Sequence, residues 1–326
     1  MHWTADVSSG GWLSARMDAE WPGTIHDVVP RGFDAYARVF HPGARDRPVG
    51  RPWPPLPYVA HRAEWQAFQA DLPQIDGERV SWERASAAFG TAMHPLAQWR
   101  SLVAPGVVVE NEDGPRDGDG WRYADPDLGQ LEPDVLAAVC RHLAAATLTP
   151  EDGGIAVWEG WGGLVGHLGP TPSRAFLQAT DSPTHAGLLA NLVPESFRSP
   201  FAQDRWQPGM VSDEVSRGPR LSLPGRDHVL FRGGVAELTS PDWVLDAPWR
   251  DREAEQHGFP ASAHSPSLVW PADHAWVMVS EIDWDSTVVA GSFELVAAIC
   301  ADEEIEALPL PPDASLTEHA DTLNPP

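Results

Sequence analysis

The ten residues from 275 to 284, AWVMVSEIDW, constrain the architecture of this chain more than any other stretch. Trp276, Met278, Ser280, Ile282 and Trp284 alternate with Val277, Val279, Glu281 and Asp283, which is the period of a β-strand. The first half is apolar on both faces and needs cover from two sides. The second half turns polar through Glu281 and Asp283, as a strand does on leaving a sheet at its margin. Asp285 and Ser286 then suit a turn, with side-chain oxygens free to bond backbone amides, and VVAG returns the chain toward a last helix. A strand of this kind predicts a sheet with both faces covered.

Similar reasoning places its partners. IAVWE (155–159) and DHVLFR (227–232) read as strands. Pro133 suits the first position of a helix whose stripe is Val135, Leu136, Val139 and Leu143. Ser292 is positioned to cap the final helix, with Leu295, Val296 and Ile299 facing inward. Closer to the N-terminus, Trp65, Phe68 and Leu72 share a helical face. Ser81 caps SWERASAAFGTAM, with Glu83 favoured by the helix dipole. Pro95 is expected to end that helix and start PLAQWRSLV, whose face is Leu96, Trp99 and Val103.

Residues 1–60 are rich in Gly, Pro and Trp and show little periodicity, so they predict loops packed on a scaffold. Within them RPWPPLPYV reads as a rigid connector, with a polyproline docking ligand as the rival. The stretch 110–120, ENEDGPRDGDG, predicts a surface loop or boundary and lacks the closing glutamate of a calcium loop. The expectation is an α+β protein: a loop-rich, helical region over 1–120, a mixed or mainly antiparallel sheet with flanking helices over 121–310, and a Pro-rich tail over 311–326.

Composition narrows the chemistry. The net charge is −25, from 47 acidic against 22 basic side chains, and all 22 are arginine. Without lysine there is no phosphate-binding P-loop lysine, no Schiff base and no kinase-type lysine. Coding bias in a GC-rich genome is the simplest source of that absence, with salt adaptation as the alternative. The acidity repels phosphate backbones and favours cations or basic protein surfaces, so nucleic acid is not an expected partner. No apolar run is long enough to cross a bilayer, and the first residues lack the order of a secretory signal. Two cysteines, Cys140 and Cys300, form no disulfide framework. The expected location is cytoplasmic. Sixteen tryptophans, spread without a repeat period, suit core and cleft walls.

Few motifs carry chemistry. Gly160, Gly162 and Gly166 follow a strand, yet GxGxxxG departs from the dinucleotide spacing, and Pro170 and Pro172 would truncate the receiving helix. A tight turn packed by Trp158 and Trp161 is the better reading. No GxSxG elbow occurs, and both cysteines fall on helices as expected buried, inert thiols. His264 and His274 flank Trp270 and Pro271 beside Asp273, a loose cluster without metal-ligand spacing. His26, Asp27 and His94 suit caps or loops.

The strand followed by Asp283, Asp285 and Thr287 remains. DxDxT after a hydrophobic strand resembles the first motif of the haloacid dehalogenase superfamily, a resemblance implying Asp283 as nucleophile, Asp285 as acid/base and magnesium nearby. In that superfamily the motif opens the sheet and a lysine follows; here 39 residues remain and no lysine exists. A DxD metal site of the glycosyltransferase kind is a further alternative. The segments WPGTIHDVVP, MHPLAQW and SPSLVWPADHAWVMVSEIDWDSTVVAGS resemble uncharacterised proteins of high-GC bacteria, a likeness that implies no activity. The favoured expectation is a protein- or small-ligand-binding module, in particular an inhibitor or immunity-type partner of a basic protein. The alternative is a metal-dependent hydrolase or transferase using Glu281, Asp283 and Asp285, with Asp283, Asp285 and His274 as candidate ligands of a divalent metal.

Overall fold

The computed structural model describes residues 1–18, 20, 22–104, 114–170 and 204–324. Among them run β1 (His2–Trp3), β2 (Ala35–Phe40), β3 (Gly43–Pro48), β4 (Ile75–Val80), β5 (Arg122–Ala124), β6 (Gly153–Trp158), β7 (His167–Gly169), β8 (Arg205–Gln207), β9 (Leu221–Leu223), β10 (Arg226–Arg232), β11 (Leu268–Pro271), β12 (Val277–Val279), β13 (Ser286–Gly291) and β14 (Ala307–Leu310). The fold is α+β, and every pairing described is antiparallel.

The main sheet has the order β1-β10-β6-β11-β12-β13-β2-β14, with β9 also on β10. Its strands are rich in Val, Ala, Leu and aromatic residues, which pack well on a pleated surface, and period-2 alternation divides them between two cores. On one face Val39, Ile155, Val157, Phe231, Val269, Met278 and Val289 meet the helices Pro133–Ala145 and Phe293–Cys300, together with Trp243 and Trp249. On the other, Tyr36, Leu230, Leu268, Trp270, Val277, Val279 and Val288 are covered by Leu13, Ile25, Val28, Val29, Ala314 and Leu316. Loop-rich sequence at both ends of the chain thus roofs one face, while helices cover the other.

Gly154 shows how tightly this roofed face packs. It pairs with Trp270 across β6 and β11, and a Cβ at Gly154 would lie 2.1 Å from the indole. The absence of a side chain there gives the Trp270 ring its seat.

The sheet is not confined to 121–310. β2, from the first 120 residues, lies between β13 and β14, and β1 joins the opposite end. Strand pairing is a long-range interaction, and the change of composition at 110–120 does not register it. β3 pairs with β4 and β5 in a small separate sheet, over which Trp82, Trp99, Leu102 and Tyr123 form their own core.

Helix ends follow their caps. Ser81 accepts from the Arg84 amide and Ser292 from the Leu295 amide, as the sequence predicts. Three boundaries differ. The helix after Ser81 stops at Phe89, because Gly90 takes a left-handed conformation, φ 69°, and ends it before Pro95. The next helix is Trp99–Val103, not one starting at Pro95, since the Asp321 carboxylate binds His94 and the Gln98 amide and holds the intervening turn. Leu72 lies beyond the helix Arg62–Ala70 and is 85% exposed, while Trp65 and Phe68 are buried. Trp53 of the proline-rich connector packs on both of them. The loop expected at 110–120 is described from 114 onward, where Asp117 accepts from the amides of Asp119 and Trp121. Pro172 lies outside the described residues.

Candidate functional site

The strand in AWVMVSEIDW is shorter than its alternating pattern. β12 ends at Val279, and residues 280–285 form the connection to β13, closed by the bond from the Trp284 amide to the Glu281 carbonyl. Ser286 and Thr287 are therefore not turn residues: they begin β13 and are fully buried. Side-chain bonding decides the difference. Ser280 and Thr287 share a hydroxyl hydrogen bond of 2.5 Å across the hairpin, and the Ser286 hydroxyl accepts from Arg38 at 2.8 Å.

Arg38 organises the interior side of the turn. It sits in the middle of β2 with no solvent exposure, and its guanidinium donates to Ser286, to the carbonyls of Pro95 and Ala97, and to Asp285 Oδ1 at 3.0 Å. Its Cζ also lies over the Phe40 ring at 4.7 Å from the centroid and over that of Trp82 at 5.2 Å, a favourable cation–π placement for a weakly hydrated cation. Burial pushes the Asp285 carboxyl up, and the neighbouring Arg38 charge pulls the other way. Burial likewise lowers Arg38, opposed by Asp285.

His41 completes the buried set. One ring nitrogen meets the Asp127 carbonyl at 2.7 Å and the other meets the Thr287 hydroxyl at 2.9 Å. Burial lowers its pKa to about 4 against the bond to Asp127, so the ring is neutral at pH 7. A hydroxyl, an imidazole and an orienting carbonyl are in line, as in nucleophile activation. Thr287, Ser280 and His41 are each no more than 1% exposed, so the chain of bonds locks the hairpin rather than meeting a substrate.

On the outer side, Arg226 of β10 reaches Glu281 at 2.6 Å and Asp283 at 2.6 Å. Glu281 is largely covered, whereas the Asp283 side chain is 73% exposed. The carboxylates of the motif are thus held by two different arginines. Asp283, Asp285 and Trp284 nevertheless line one open hollow of about 370 Å³ with Gln98, Leu316, Thr317 and Glu318. The C-terminal tail forms its other wall.

His274 lies at the opposite end of β12, stacked on Trp12 at 4.3 Å. His264 stacks on Trp161 at 4.7 Å, and Asp273 accepts from Thr147 and the Leu148 amide. The histidines beside Trp270 do not converge, and among the described residues no group of three His, Cys, Asp or Glu side chains is placed to hold a metal ion. Described backbone after β6 forms a turn in which Trp158 packs edge-on against Trp161 at 5.4 Å. Cys140 is buried, which pushes its thiol well above the usual range, and Cys300 is pushed up to about 11. Neither supplies a thiolate.

Sequence reasoning passed over Arg38, Arg226, Gln98 and Glu318. For Arg38 a signal existed: a lone cation inside the apolar strand AYARVF must find an acid if it is buried. The other three come from distant segments and carry no local sign. Compared with family models, with curated proteins and with solved structures, the chain finds no match. Nor does any helix among the described residues have the length and apolarity to cross a membrane.

Proposed function

We propose that the protein is a binding module whose ligand presents a cationic group, carried by a basic protein or by a small cation, and that the hollow beside the 280–285 turn receives it. An inhibitor or immunity-type partnership with a basic protein is the specific form this takes. The observation that carries the reading is the lining of the hollow: the carboxylates of Asp283, Asp285 and Glu318 stand around Trp284, with Gln98 and Thr317 as neutral hydrogen-bonding groups. Carboxylates bordering an indole suit a guanidinium or ammonium group, which gains charge pairing and a ring face together. The net charge of −25 would speed the approach of such a partner. The metal-dependent alternative has less support, because among the described residues no group of three His, Cys, Asp or Glu side chains is placed to hold a metal ion.

Titration with a hexa-arginine peptide at low and moderate salt tests this reading. Diffuse attraction to an acidic protein is insensitive to the loss of two carboxylates among 47. Binding at the hollow weakens at least several-fold in Asp283→Asn/Glu318→Gln. Equal affinity of the variant and the wild type sinks the proposal.

A further inference from the structure

Behind the Arg226 clamp lies a second, much smaller space. It is lined by Met17, Val28, Leu268 and Val279 on its apolar side and by His228, Ser267, Ser280, Arg226 and Glu281 on its polar side. His228 of β10 is 4% exposed; its ring lies against the backbone of Leu221 and Arg226, and its Nδ1 is left without a partner in hydrogen-bonding geometry. A buried ring nitrogen left bare costs about 1–3 kcal/mol, and native interiors rarely leave one so.

We infer that this cavity is a binding site for one water molecule, hydrogen-bonded to His228 Nδ1 beside the Arg226–Glu281 ion pair. Three observations carry the assignment. Space accessible to water centres is about 10 Å³, close to the ~10–15 Å³ that a single water requires and too little for a larger ligand. The walls are mixed rather than apolar, and dry cavities are apolar ones. Water can also donate to or accept from Nδ1, so it satisfies either neutral tautomer of the ring.

The surrounding geometry makes the site more than a filler. Ser280 lines the cavity and also bonds Thr287, which bonds His41. The cavity thus borders the buried hydroxyl chain that locks the hairpin. Arg226 Nε and the Arg226 terminal nitrogen meet Glu281 at 3.0 and 2.6 Å, and both residues line the cavity. His228 itself is buried, so a water held on its ring exchanges slowly with solvent.

A crystal structure at a resolution that orders single waters, combined with water-to-protein NMR exchange spectra of the wild type, tests the inference. The expected result is one density peak within hydrogen-bonding distance of His228 Nδ1 and a cross-peak from a long-lived water to the His228 ring. An empty cavity, or Nδ1 turned onto a protein group, overturns it. In His228→Phe the peak disappears while the Arg226–Glu281 pair stays. A peak that survives there belongs to the serines and also overturns the assignment to Nδ1. Should that variant not fold, the wild-type NMR experiment still decides.

Discussion

Behind the 280–285 turn, Asp285 meets Arg38 in an interior where the guanidinium has no exposure; in front of it, Asp283 meets Arg226 with most of its carboxylate in water. Both are carboxylate–guanidinium pairs within hydrogen-bonding distance, two residues apart in sequence. Surroundings set their weight. In the interior the guanidinium has lost water, so its donors must be answered by protein, and Ser286, Pro95, Ala97 and Asp285 answer four of the five N–H groups of Arg38. At the surface, water and salt screen the pair, and it contributes about 0–1 kcal/mol at most. Two aspartates separated by a single residue thus divide between holding the fold and presenting a charge.

Removing the interior cation strains this comparison most. Arg38→Met takes from the half-buried Asp285 carboxyl its cation and strips the Pro95 and Ala97 carbonyls of their donor. A loss of about 3–5 kcal/mol is expected in denaturant unfolding. Arg38→Met/Asp285→Leu recovers a large part of it, because an apolar pair of similar volume leaves no uncompensated charge. A single-variant loss under about 1 kcal/mol would place the inner pair in the surface class and dissolve the contrast.

Acid is the second lever, and it too acts on the interior. His41 and His228 both have pKa values lowered to about 4 by burial, against an ordinary 6.5. Between those values the unfolded chain binds protons that the folded chain refuses, so stability rises with pH across the window and falls as pH drops from 6.5 toward 4. Each ring removes roughly 3 kcal/mol over that interval. Asp285 acts in the opposite sense, since a carboxyl raised by burial holds its proton more readily in the folded state. Thermal melts between pH 7 and pH 4 should show a steep descent, and His41→Gln should remove about half of the slope. A flat profile would mean that the two rings are solvated.

The parts of this fold legible in the sequence are those written locally. The stripe Val135, Leu136, Val139 and Leu143, the caps Ser81 and Ser292, and the strands around Ile155 and Val229 follow from period and cap chemistry that neighbouring residues carry. The hairpin was misplaced by a few residues because the alternation runs on to Trp284 and because Ser286, beside Asp285, looks like an exposed turn former. Ser286 and Thr287 are instead buried in β13, where Arg38 and His41, 248 and 246 residues away, supply their hydrogen bonds. Sheet order is illegible for the same reason: nothing in AYARVF announces that it pairs with STVVAG. Of the candidate site, Glu281, Asp283 and Asp285 were visible as a negative cluster. Which of them is neutralised, and by which arginine, depends on tertiary geometry.

The smallest expected effect falls on the outer pair and isolates presentation from folding. In Asp283→Asn the Arg226 guanidinium keeps both of its bonds to Glu281, so no buried donor is orphaned. With 73% of the Asp283 side chain in water, the lost charge pair changes stability by less than about 0.5 kcal/mol, and added salt barely alters that difference. Glu281→Gln is the sharper control, because Glu281 is largely covered and Arg226 then keeps only the exposed carboxylate; its effect should exceed that of Asp283→Asn in the same melts. If Asp283→Asn destabilised the protein as much as Arg38→Met does, the outer carboxylate would be structural, and Glu318 alone would remain as the exposed carboxylate with which the hollow could meet a cation.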